Sequence, residues 1–172
     1  RELDLALSPD APLLCGAGQV DQWSPSLSYT DRSLLLYAVQ NIAEELLNEN
    51  AYFESVVFDD SRFAWFLQPK HWDCFDRLRL FAEENIDAIQ RNCRRLLQLT
   101  VYVALPRQGI HWEVLPDIIT ELQRLLFRGT GGKHERILYF EPEEDESKDR
   151  RQGKMRGEIN KFSNVAMLFE SG

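Results

Sequence analysis

The chain has 172 residues, 44% of them hydrophobic and 28% charged, with a formal net charge of -8. That length and apolar content suffice for one domain to bury a core without disulfide or metal support, and they exclude an intrinsically disordered chain. No apolar run approaches the roughly 20 residues of a membrane-spanning helix, and the acidic balance excludes a domain whose whole surface grips phosphate backbones.

Residues 1–10 carry little pattern beyond Leu3, Leu5 and Leu7, and form a lead-in that ends in a Ser8-Pro9-Asp10 turn signal. Residues 11–23 read as a strand of small and apolar side chains, interrupted by Gly16 and Gly18. Ser28 or Thr30 can cap the next helix, and Asp31 favours the positive end of its dipole. Leu35, Val39, Ile42 and Leu46 recur at helical spacing and predict a helix to about Leu47. Two β-prone runs, residues 52–58 and 62–67, flank Asp59, Asp60 and Ser61, which predicts a hairpin closed by Pro69.

A long helix is expected over residues 72–97, where Phe75, Leu78, Ala82, Ile86, Ile89, Cys93 and Leu96 step by three or four. The arginines along it, Arg77, Arg79, Arg91, Arg94 and Arg95, fit a solvated face paired with Glu83, Glu84 and Asp87. Residues 100–105 read as a short strand ended by Pro106. A third helix starts between Trp112 and Pro116, with Gly129 placed as a left-handed C-terminal residue. Residues 137–140 form a last strand. Residues 142–156 are a charged linker. Residues 157–172 hold a short amphipathic helix whose apolar face is Ile159, Phe162, Val165 and Phe169, with Ala166 beside it. Such a short helix is marginal alone in water, so that face must be covered, either by its own sheet or as a dimerisation or interdomain contact.

The expected order is β-α-β-β-α-β-α-β plus a C-terminal helix. Its first six elements match the split-βαβ, ferredoxin-like unit, which predicts an α/β (α+β) fold with a mainly antiparallel five-stranded sheet and helices on one or both faces. Cys15, Cys74 and Cys93 are odd in number, scattered and without a Cys-x-x-Cys pair, as expected of reduced thiols in a cytoplasmic protein. Arg1 follows no signal or transit pattern, which leads us to expect a piece of a longer protein.

Gln19-Val20-Asp21-Gln22-Trp23 ending the first strand, residues 36–46 of the first helix, residues 58–67 around the hairpin, residues 115–129 and residues 137–141 occur in an informative order. Over residues 11–141 this resembles the diguanylate cyclase (GGDEF) fold. More closely, it is similar to the degenerate GGDEF-like middle domain of AraC-type two-component response regulators, a class of transcription regulators. The resemblance implies a receiver domain before this segment, a helix-turn-helix DNA-binding domain after it, and a homodimer as a further partner.

Against the cyclase motif, Gln19 stands where the first metal-binding aspartate is expected, with Asp21 two residues on. Asp59-Asp60-Ser61-Arg62-Phe63 stands at the hairpin signature. Side chains bearing negative charge replace the two glycines, Ser61 replaces a metal ligand, and Asn50 and Phe53 replace the arginine and aspartate of the inhibitory product site. Phosphoryl transfer needs Mg²⁺ held by hard oxygen anions, so these departures imply no catalysis, no metal and no cofactor. The expected function is signal relay without enzymatic activity, with no nucleic-acid contact by this segment and no membrane association.

Two alternatives remain. One is a small-molecule sensory module using Asp21, Asp59, Asp60 and Arg62 as a ligand site. The other is a divergent nucleotide cyclase with a displaced metal site. Two weaker motifs read as structure. Gly129-Thr130-Gly131-Gly132-Lys133 lacks the phosphate-loop spacing, and His71 with Cys74 lacks a second ligand pair.

Overall fold

The computed structural model describes residues 7–71, 74–129 and 137–140. The elements are β1 (Leu14–Val20), α1 (Tyr29–Leu47), β2 (Ala51–Val57), β3 (Arg62–Pro69), α2 (Phe75–Asn92), β4 (Val101–Pro106), α3 (Leu115–Gly129) and β5 (Ile137–Phe140). The expected linker and C-terminal helix lie outside the described residues.

The five strands form one sheet in the order β2-β3-β1-β4-β5. β1 pairs antiparallel with both β3 and β4, β2 pairs antiparallel with β3, and β5 lies parallel to β4. Each of the first two helical crossovers therefore straddles an intervening strand: β3 separates β1 from β2, and β1 separates β3 from β4. This is the split-βαβ arrangement predicted from element order, extended by α3 and β5 into a mixed, mostly antiparallel α/β sheet.

Both faces carry helices. Leu14, Val20, Phe63, Trp65, Leu67, Val101, Val103 and Leu105 face α1 and α2 in one core. Cys15, Ala17, Ala64, Phe66, Tyr102 and Ala104 face α3 in the other. The alternation follows from the pleat, which sends successive side chains to opposite faces. With both faces buried, β1, β3 and β4 read as near-continuous apolar runs. Burying each large apolar side chain contributes roughly 1.5–3 kcal/mol.

Ser28 starts α1 with a capping box: its hydroxyl accepts from the Asp31 N–H at 3.1 Å, and the Asp31 carboxylate accepts from the Ser28 N–H at 3.4 Å. Thr30 lies within the helix. The innermost line of α1 is Leu36, Val39, Ala43 and Leu47, while Leu35, Ile42 and Leu46 are half-buried on its flank. The expected stripe is thus rotated. Leu34, Leu35 and Leu36 are consecutive, so helical spacing alone does not select which line meets the sheet.

The predicted long helix is also corrected. Its α-helical part starts at Phe75 and stops at Asn92, and Cys93–Leu97 continue as a π-helical turn. Gln98, at φ 56°, reverses the chain into β4. Gly129 ends α3 as expected, but without a left-handed φ. Its requirement is space: a Cβ there would lie 2.6 Å from Leu138 Cδ1 of β5. Among the described residues no helix is long and apolar enough to cross a membrane.

Candidate functional site

Sheet register gathers the four polar residues singled out from the sequence at one end of the molecule. Gln19 of β1 lies opposite Arg62 of β3. The Val20 N–H then donates to the Ser61 carbonyl at 2.8 Å, and the Asp21 N–H to the Thr100 carbonyl at 2.8 Å. The end of β1, the β2–β3 turn and the approach to β4 therefore share one rim, beside the first turn of α1.

Within that rim the turn is built by its own side chains. Asp59 Oδ1 accepts from the Ser61 N–H at 2.9 Å and from the Arg62 N–H at 2.8 Å. Its Oδ2 accepts from Arg62 Nε at 2.6 Å and lies 2.6 Å from Arg62 Nη2. An aspartate that satisfies backbone donors two and three residues on is the physical reason this residue type favours turns. Burial pushes the Asp59 carboxyl up, and it is the largest single influence. The Ser61 N–H, the Arg62 guanidinium, the Arg62 N–H and the Arg62 charge outweigh it together and hold the carboxyl below its ordinary value.

Asp60 faces the other way. Arg32 Nη1 approaches its Oδ2 at 3.5 Å, and the Ser61 hydroxyl donates to its Oδ1 at 3.2 Å. The Trp23 indole N–H is shared between the Asp60 carbonyl at 3.1 Å and Ser61 Oγ at 2.9 Å. A continuous chain of donors thus runs from Trp23 through Ser61 to Asp60, closed by Arg32. Asp21 joins the rim through its backbone only, and its carboxylate bonds to none of the other three. No group of three His, Cys, Asp or Glu side chains stands together at ligating distance among the described residues.

Trp23 and Arg32 complete this network, and sequence reasoning had not assigned them. Trp23 had appeared only as the last residue of the motif after β1. Arg32 sits 28 positions from Asp60, so no local spacing announces their pairing. The Arg32 Nε is buried without a hydrogen-bond partner.

A second polar region lies at the opposite end of the sheet, where an open cleft of about 560 Å³ separates the start of α2 from the loop after β4. Arg79 there donates to the Arg107 carbonyl at 3.0 Å and pairs with Glu83 at 3.5 Å and Asp76 at 3.8 Å. Arg107 lies 4.5 Å from the centroid of the Tyr139 ring. Burial, with a hydrogen bond to Glu83, pushes the Tyr139 hydroxyl up to about 12. These cations are matched by the Asp76 and Glu83 carboxylates and the Tyr139 ring.

Of the weaker motifs, His71 and Cys74 are both exposed, and Cys74 precedes α2 without a capping side-chain bond. Residues 130–133 lie outside the described residues, as do Ile159, Phe162, Val165 and Phe169. Arg79 with Glu83 and Arg91 with Asp87 at 3.4 Å form the i,i+4 pairs expected of a solvated helix face. No family model and no curated protein matches this chain.

Proposed function

We propose that this chain is a non-catalytic regulatory domain of a two-component response regulator of AraC type. It would act in the cytoplasm as a relay between a receiver and a helix-turn-helix DNA-binding domain of the same protein, within a homodimer. The observation that carries the reading is the β2–β3 turn. Both Asp59 oxygens are engaged by Ser61 and Arg62 of the same turn, and Asp60 is held by Ser61 and Arg32. A nucleotide at this position would have to displace these bonds and bring its phosphates against two carboxylates. Coulombic repulsion disfavours that approach.

A relay needs a rigid body that transmits displacement between its neighbours. A sheet whose central strands β3, β1 and β4 are buried on both faces supplies such a body. The acidic charge of the domain leaves DNA contact to the neighbouring domain.

Calorimetry with GTP and Mg²⁺ tests the loss of nucleotide chemistry. The expected result is no binding heat at micromolar nucleotide. Saturable micromolar affinity would overturn it in favour of the cyclase alternative.

A further inference from the structure

The face of the sheet that carries α3 is incompletely covered. Antiparallel partners project to the same face. Tyr52, Glu54 and Val56 of β2 pair with Gln68, Phe66 and Ala64 of β3, and Phe66 and Ala64 belong to the α3-side core. Tyr52, Val56 and the next residue in the alternation, Phe58, therefore form an apolar row on that face. They remain 41%, 45% and 45% exposed. α3 packs on β1, β4 and β5, and its Ile118 and Ile119 are only half-buried. Among the described residues the opposite face carries two helices and this face one.

We propose that residues 157–172 of this chain dock here as a fourth helix, with Ile159, Phe162, Val165 and Phe169 covering Tyr52, Val56 and Phe58. Three physical matches favour this occupant. The apolar row spans about 20 Å at strand rise, and a helix over residues 158–170 is about 20 Å long. The intervening residues 141–156 give a flexible chain a mean reach of roughly 20–24 Å. Four strand spacings, the width from β5 to β2, come to about 19 Å. Charge also matches at one point: Glu54 interrupts the row, and Lys161 stands beside Phe162 on the incoming segment. Docking would give the chain after β5 a fixed exit beside the β2 edge, and it does not depend on the relay function proposed above.

Hydrogen exchange on the full 172-residue chain tests the assignment. Phe162→Asp together with Phe169→Asp changes only residues outside the described body. It should speed exchange of the β2 amides by roughly tenfold at every protein concentration, with β1 and β3 unchanged. Unchanged β2 exchange overturns the proposal. So does β2 protection in the unsubstituted chain that fades on dilution, which would place a second copy on this face. Protection lost on deleting residues 1–6 but kept in the double variant would place the lead-in there instead.

As a second measurement, Val56→Cys with Phe162→Cys in a Cys74→Ser background should form an intrachain disulfide on mild oxidation. Only interchain disulfides, or none, would overturn the contact.

Discussion

Asp59 offers the sharpest test of a turn that satisfies itself. In Asp59→Ala the Ser61 and Arg62 N–H groups, bonded at 2.9 and 2.8 Å, lose their acceptor. By analogy with a lost helix cap this costs about 1–2 kcal/mol. The ion pair adds little, because the Arg62 side chain is 51% exposed and solvent-screened pairs contribute about 0–1 kcal/mol. Asp59→Asn keeps an oxygen for both N–H groups and loses the charge together with the Oδ2 acceptor of Arg62 Nε; that guanidinium is half exposed and can turn to water, so the cost stays below about 1 kcal/mol.

Urea unfolding followed by tryptophan fluorescence resolves the two. The alanine variant should lose about 0.5–1 M in midpoint and the asparagine variant less. The sign with pH follows from the lowered folded pKa. The charge-dependent stability is present above the unfolded aspartate value of about 4 and is lost as pH falls through the folded value. The gap between the native chain and Asp59→Asn should therefore narrow as pH falls below about 4. An alanine variant as stable as the native chain, or a gap that does not narrow as pH falls below about 4, would refute the account of the turn.

Two further outcomes follow from packing and burial. Gly18 pairs with Phe63, and a Cβ there would overlap the ring. The ring in turn stacks on Trp65 at 4.9 Å, so Gly18→Ala should destabilise by about 1–3 kcal/mol in thermal or urea unfolding. Iodoacetamide at mildly alkaline pH should label Cys74 rapidly and spare Cys15 and Cys93. Cys74 is exposed, the other two are buried, and burial pushes the Cys15 thiol up to about 12. Mass spectrometry showing early labelling of Cys15 would contradict the packed β1.

Much of the candidate site was legible before any geometry. Asp59, Asp60, Ser61 and Arg62 between two β-prone runs mark a turn, because their side chains bond to nearby backbone. The residues that complete it were not legible. Arg32 reaches Asp60, and Trp23 reaches Asp60 and Ser61, only because register sets the end of β1 beside the hairpin. The same holds inside the core. Gln40, midway along α1, accepts the Trp65 indole N–H at 2.7 Å. Gln90 of α2 donates to the Val101 carbonyl at 3.0 Å. Each is polar within an apolar setting, and its partner lies on another element.

Length, apolar content and charge pointed to a domain able to bury its own core. The sequence by itself then determined its elements and their order, because capping residues, turn residues and hydrophobic period act locally. Ser28 begins α1, Asp59 turns the hairpin and Pro106 ends β4 by chemistry within a few residues. Tertiary structure alone decided how those elements share the sheet: β1 between β3 and β4, α1 and α2 on one face, α3 on the other. It also decided which line of α1 points inward, and why Gly129 must be small. Those outcomes depend on steric fit between distant surfaces, and several rotations and faces satisfy the local pattern equally well.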